Sequence, residues 1–169
     1  MQVPTDFETA IARKYPEGVA IAVVRDGQGR YNPITLCWVM RTSHQPPMIA
    51  ISVGIQRYSL EALRAAREFV LSIPSTQMAE LAAFFGSRSG REVDKLAASG
   101  ARTQRAAIID GVLLTDAVAN FECRVEGELE TGDHVIFAGR VVASHTNADA
   151  SVRGLYALGD ERLGGVVPG

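Results

Sequence analysis

The chain has 169 residues, 47% of them hydrophobic, with a formal net charge of −2 and two cysteines. That length fits one domain able to bury a sizeable core without staples, and the near-neutral charge excludes the basic footprint of a nucleic-acid binder or a membrane-surface helix. No apolar run is long enough for a bilayer, and Met1 to Tyr15 lacks the apolar centre of a secretory signal; Cys37 and Cys123 lie far apart in apolar strands, which points to reduced, buried thiols, no metal motif and a cytoplasmic location.

The short apolar run Val19 to Arg25 predicts a buried strand, and Asp26-Gly27-Gln28-Gly29 a hairpin-type turn. Tyr31 to Met40 reads as a second strand, with Pro33 near its start, where a missing N–H is tolerable. His44-Gln45-Pro46-Pro47 breaks the chain before a third strand, Met48 to Val53. Ser59 is the expected cap of a helix reaching about Arg67, with Glu61 suiting the dipole and Leu60 and Leu63 on the buried side. Phe69 to Ile73 follows as a strand with Phe69, Leu71 and Ile73 on one face, and Pro74 stops it. Ser75 then caps a second helix, whose Met78, Leu81, Ala82 and Phe85 fall at core spacing, with Gly86 in the helix-ending position. Asp94 to Ser99 adds a helical turn and Val112 to Asp116 a short strand. Phe121 to Leu129 alternates, which places Phe121, Cys123, Val125 and Leu129 inward and the charged residues outward. Thr131-Gly132-Asp133 turns the chain, and His134 to Ala143 returns as an antiparallel partner. A short segment near Ala148 to Leu158 precedes a glycine-rich tail, Leu163 to Gly169, which has no aromatic residue. Hairpin-linked strands with helices inserted between them argue for a mainly β fold, a closed antiparallel barrel, over a doubly wound sheet.

One stretch carries a chemical signal. Gly86-Ser87-Arg88-Ser89-Gly90-Arg91-Glu92-Val93-Asp94-Lys95 gathers two glycines, two serines, two arginines and a lysine. Turn N–H groups, hydroxyls and cations in this density can cradle an anion, a phosphorylated cofactor among them. The same residues are also the ordinary ones of a solvated loop between helices. The pattern is neither a Walker loop nor a dinucleotide fingerprint.

Several pieces in a fixed order resemble a known family. They are Asn32-Pro33-x-Thr35-x-x-Trp38, Pro46-Pro47 leading into Ile49 to Val53, Arg57-Tyr58-Ser59, Phe69 to Pro74, Ser89-Gly90-Arg91-x-x-Asp94-Lys95, Glu122-Cys123 and Gly132-Asp133-His134. Together they resemble the flavin reductase-like domain of the FMN-binding split-barrel superfamily, in its short ferric reductase and flavoredoxin-like branch. The resemblance runs from about Val19 to Leu163. It implies a six-stranded antiparallel Greek-key split barrel, one domain over the whole chain, and a homodimer with FMN near its interface.

Carried onto this sequence, the resemblance implies that Asn32, Thr35 and Trp38 line the flavin site from the second strand. Ser52 and Val53 would offer backbone to the ring edge. Arg57, Tyr58 and Ser59 would meet the phosphate at a helix N-terminus. Ser89, Gly90 and Lys95 would come from the loop, and His134, also the expected catalytic residue, from the hairpin. Read alone, Arg57 is equally a surface arginine, Ser59 a helix cap, Asp133 a turn residue and Trp38 a core aromatic. The implied activity is an oxidoreductase passing electrons from NADH or NADPH through FMN to a ferric chelate, a free flavin or a protein. The alternative is an FMN-binding electron carrier with little NAD(P)H oxidation of its own.

Overall fold

The computed structural model describes residues 1–166. The last residues of the glycine-rich tail, 167–169, lie outside the described residues. The strands are β1 Glu17–Gly18, β2 Ala20–Arg25, β3 Tyr31–Leu36, β4 Val39–His44, β5 Pro47–Gly54, β6 Glu68–Ile73, β7 Thr103–Arg105, β8 Val112–Leu114, β9 Ala119–Thr131, β10 His134–Thr146, β11 Tyr156–Gly159 and β12 Arg162–Gly164. The helices are α1 Phe7–Ile11, α2 Tyr58–Ala66, α3 Ala79–Ser87 and α4 Lys95–Ser99. No described helix is long and apolar enough to cross a membrane.

Seven strands form one antiparallel sheet in the order β3-β2-β6-β9-β10-β5-β4. Its two outermost strands, β3 and β4, are consecutive in the chain. The single strand expected over Tyr31 to Met40 is therefore two strands, which break at Cys37 and Trp38. β3 pairs with β2 and β4 with β5, so the short bend carries the chain from one edge of the sheet to the other. That is the split of the barrel, and it reconciles seven observed strands with the six expected.

β2 and β6 are buried on both faces, which is why they read as unbroken apolar runs. Inside the curled sheet, Ala22, Ile51, Val53, Phe69, Leu71 and Phe137 pack with Leu60 and Leu63 of α2, which plugs the barrel. On the outer face Ile21, Val23 and Val70 meet Met78, Ala82 and Phe85 around α3, together with Leu113 and Leu114 of β8. Burying each such large side chain contributes about 1.5–3 kcal/mol.

Several local expectations need correction. Ser59 is inside α2, not its cap; Arg57 occupies the cap position without a side-chain bond. The turn before α3 is a short 3-10 helix, Thr76–Met78, and Ser75 caps it with no side-chain bond. Gly86 lies within α3, which runs on to Ser87 and ends at an extended Arg88. In β9 the inward-outward alternation fails twice. Glu122 is fully buried and Leu129 is exposed. Between Ala138 and Gly139 the register of β10 against β9 jumps from Gly127 to Val125, leaving Glu126 as a bulge. A bulge reverses the alternation beyond it, which turns Leu129 outward. β7, the partner of β8, was not foreseen. Cys37 sits in the bend between β3 and β4 rather than in a strand, whereas Cys123 is buried in β9.

Candidate functional site

The break in the sheet opens a groove, resolved as three cavities that share walls. At one end a cavity of about 230 Å³ lies between the N-terminus of α2 and the loop leaving α3. Arg57, Tyr58, Ser59, Arg88, Ser89, Gly90, Arg91 and Lys95 line it. A second cavity, of about 190 Å³, continues between β3 and β5, where Thr35, Trp38, Ser52, Gly54 and His134 form its walls. Ile34 and Arg57 belong to both. Trp38, Ser52 and His134 then lead into a wide cleft of about 760 Å³, with Lys14, Glu17, Met40 and Ile136 around it.

The first cavity has four cationic side chains in its wall and no carboxylate. Lys95 is buried, and its ammonium donates to the carbonyl of Phe85 at 3.1 Å. Burial, and then the nearby Arg57 guanidinium, bring its pKa down to about 8. Its remaining donors and Arg57 lack a countercharge at the cavity among the described residues. α2 adds N–H groups at its first turn and the positive end of its dipole. Ser59 Oγ accepts from Asn32 Nδ2 at 2.8 Å, which leaves its hydroxyl hydrogen free to donate. Cations, a hydroxyl and amides converging without an anion are the donor set that suits a phosphate group or another anion.

Gly90 is required where it stands. A Cβ there would overlap Asn32 Oδ1 and come within 2.6 Å of the Tyr58 ring. The backbone of the loop can approach a ligand because this position has no side chain. Asn32 Oδ1 is itself buried with no hydrogen-bond partner.

The second cavity is flanked by two rings in tilted contact. Trp38 and His134 have centroids 4.6 Å apart at 44°. His134 Nδ1 pairs with Asp133 Oδ1 at 2.7 Å, so Asp133 orients the imidazole and is more than a turn residue. That pairing leaves Nε2 on the side of Gly54, where a Cβ would lie 3.6 Å away.

The structure thus brings Thr35, Trp38, Ser52, Arg57, Tyr58, Ser59, Ser89, Gly90, Lys95 and His134 to one groove. Two expected residues do not line it. Val53, expected to offer its backbone, is absent from the cavity walls, and its side chain is sealed in the barrel core, opposite to that of Ser52. Asn32 stands behind those walls, bonded to Ser59 and packed against the Cα of Gly90. Hydrogen bonds within the fold limit what several others can offer a ligand. The N–H of Ser52 donates to the Trp38 carbonyl at 3.0 Å and is not free for a ligand. The Thr35 hydroxyl donates to the Ala82 carbonyl at 2.6 Å, tying β3 to α3. The Tyr58 hydroxyl turns away to Asp26 at 3.2 Å, so only its ring and N–H face the cavity. Trp38 is no core residue: it is 54% exposed at the mouth of the groove.

Sequence reasoning missed Gly54 and Ile34 as walls; Arg88 and Arg91, counted only collectively among the cations of the Gly86–Lys95 loop, take individual places in the cavity wall. It also missed a buried carboxylate. Glu122 accepts from the N–H groups of Ala107, Ile108 and Ile109 at 2.7, 2.7 and 3.0 Å and pairs with His145 Nε2 at 2.7 Å. Burial pushes this carboxyl up, but the donated bonds outweigh it and hold it below the usual range. Glu122 is remote from the groove and pins the loop between β7 and β8 to the sheet. Burial raises both thiols, that of Cys123 to about 12, which leaves neither a nucleophile.

Comparison with known proteins follows the same lines. The family model for the flavin reductase like domain matches residues 12–162. An NADH-dependent FMN reductase of Streptomyces nodosus subsp. asukaensis is 32% identical over 145 residues, 84% of this chain and 75% of that protein. The solved structure of an FMN-binding protein from Thermus thermophilus with bound p-hydroxybenzaldehyde has a TM-score of 0.82 at 27% identity, over 99% of this chain and 97% of that one. The flavoredoxin of Methanosarcina acetivorans, 21% identical, has a TM-score of 0.87 over 100% of this chain and 93% of that one, a likeness of fold.

Proposed function

The chain belongs to the flavin reductase like domain family, and on that premise we propose that it binds FMN in the groove and passes electrons from NADH or NADPH to an acceptor. The observation that carries this reading is the cavity whose wall holds Arg57, Arg88, Arg91 and Lys95 and no acid, joined through Arg57 to a slot flanked by Trp38 and His134. A phosphate monoester attached to a planar ring has the matching shape and charge. FMN, when bound, supplies the two-electron chemistry that side chains lack.

The protein's own residues then have separable tasks. Lys95, Arg57, Ser59 and the Gly90 bend bind the phosphate. Arg57, as a wall of both cavities, adds positive charge toward the ring, which favours its reduced form. Trp38 and His134 flank the slot and bound the open cleft, where a nicotinamide can approach; orientation there supplies much of the rate. His134 is the residue placed to hold or move a proton at Nε2. The acceptor is a ferric chelate, a free flavin or a protein, and we assign the protein to the cytoplasm as a homodimer whose flavin lies near the interface.

Titration of purified protein with FMN, followed by anaerobic addition of NADH or NADPH, tests the reading. Saturable binding and prompt bleaching of the flavin band are expected. Folded protein that ignores FMN overturns the proposal. Binding without bleaching by either nucleotide, alongside reduction by dithionite, assigns the chain as an electron carrier instead.

A further inference from the structure

A second buried carboxylate, Asp26, lines none of the three cavities of the groove, yet it is bonded to residues that reach two walls of the first one. Asp26 lies just after β2, in the turn to β3, with its side chain 1% exposed. One oxygen, Oδ1, accepts from the N–H groups of Gln28 and Arg30, each at 2.9 Å, and closes the turn. The other, Oδ2, accepts from Arg30 Nε at 3.0 Å, from Arg30 Nη2 at 2.9 Å and from the Tyr58 hydroxyl at 3.2 Å. Both donor residues continue to the cavity. Arg30 Nη2 also donates to the carbonyl of Gly90 at 2.7 Å. Tyr58 is the first residue of α2, and its ring lies against the Cα of Gly90.

We infer that Asp26 is a positioning residue for phosphate recognition: its Oδ2 fixes the separation between the first turn of α2 and the Gly90 bend. The inference rests on the proposed binding of FMN phosphate in this cavity. Its physical content is that Arg30, a long side chain with many rotamers, is held in one geometry by two charge-assisted bonds to one oxygen of a buried carboxylate. Held so, it clamps the Gly90 carbonyl, and the bend that carries the Ser89 and Gly90 N–H groups keeps its place in the cavity wall. Released, the Arg30 guanidinium and the Tyr58 ring both relax, and the bend loses its register with α2. Binding residues of this kind depend on the groups behind them for their aim. The burial of Asp26 raises its carboxyl, but the bonds from Arg30 and Gln28 more than offset this and keep it charged.

Asp26→Asn separates the two oxygens. The amide oxygen can still close the turn, whereas the amide nitrogen cannot accept from Arg30 or Tyr58. Affinity for FMN and for riboflavin, which lacks the phosphate, is measured by fluorescence titration in wild type, Asp26→Asn and Arg30→Lys. Both variants are expected to lose about tenfold in FMN affinity while riboflavin affinity stays within about twofold, the scale of one misplaced charge-assisted bond. Unchanged FMN affinity overturns the inference, and so does a parallel loss for riboflavin, which marks a general structural role. If Asp26→Asn does not fold, Arg30→Lys decides by the same ratio. Wild-type protein that does not bind FMN overturns the functional reading itself, a result distinct from wild-type binding that the variants leave untouched.

Discussion

The Lys95 ammonium donates to the main-chain carbonyl of Phe85 at 3.1 Å, so the first residue of α4 holds the last full turn of α3 at the floor of the anion cavity. A lysine spent only on a helix end would have no reason to be buried beside Arg57. Lys95→Met is expected to weaken FMN binding by about 1.5–3 kcal/mol, the range for a charged hydrogen bond, and to leave riboflavin binding unaltered. Equal losses for both ligands would remove Lys95 from phosphate recognition.

The same group sets a pH signature. Lys95 titrates at about 8 in the fold against an ordinary 10.5. Between those values the unfolded chain holds more protons, so this group's effect on stability becomes more favourable as pH rises through that window. Below pH 8 its full penalty is present. The stability of the apoprotein relative to Lys95→Met, from denaturant unfolding, should therefore shift toward the wild type from pH 8 to 10.5. FMN affinity should fall over the same range, because the bound phosphate must recharge the amine. A difference that is flat with pH would contradict the burial of this ammonium.

Arg57 is exposed and caps α2 without a side-chain bond, so little of the fold depends on it. Arg57→Ala should weaken FMN binding by about 1.5–3 kcal/mol and change the stability of the apoprotein by no more than about 0.5 kcal/mol. Isothermal titration and thermal unfolding of the same preparation check the two halves. Unchanged affinity would show that the guanidinium does not reach the ligand.

His134 is oriented by Asp133 and packs at a tilt against Trp38 at the opening between slot and cleft. His134→Ala should slow anaerobic reduction by NAD(P)H at saturating FMN by about tenfold or more, in the range of general acid–base contributions, with a smaller effect on FMN retention. Stopped-flow absorbance separates the two. A variant that loses flavin but reacts at the normal rate when saturated would make His134 a binding residue only.

Glu122 stabilises the loop between β7 and β8 through three amides and His145. Its carboxyl is held below the ordinary 4.5, so its contribution is complete above that value and disappears as pH falls through the lower folded one. Glu122→Gln should cost about 2 kcal/mol or more at neutral pH, and the difference from wild type should shrink in acid. Urea unfolding at neutral and acid pH measures both. No destabilisation at neutral pH would mean that this buried network is not a stabilising one.

What was legible in the sequence followed from local chemistry. Strands buried on both faces, such as β2, appear as unbroken apolar runs, and the Gly90 loop announces itself through glycine, serine and arginine. Features that depend on partners across the sheet left no local trace. The Glu126 bulge reverses the facing of Leu129, and nothing in the alternating sequence marks where it falls. Trp38 reads as core because it is apolar and falls inside the single strand expected over Tyr31 to Met40, whereas it sits at a break that only the pairing of β3 with β2 and of β4 with β5 defines. Glu122 reads as outward because its neighbours alternate, and its four donors come from distant segments. Lys95 reads as solvated for the same reason.

The seam where β3 parts from β5 leaves the barrel without a closing row of backbone bonds, apart from such bridges as Ser52 N–H to the Trp38 carbonyl. Substitutions that zip this gap shut should make a sturdier protein and a poorer flavoprotein. Selection for heat resistance alone would then be drawn toward erasing the groove, and variants recovered from such a selection should be screened for colour before their melting points are admired.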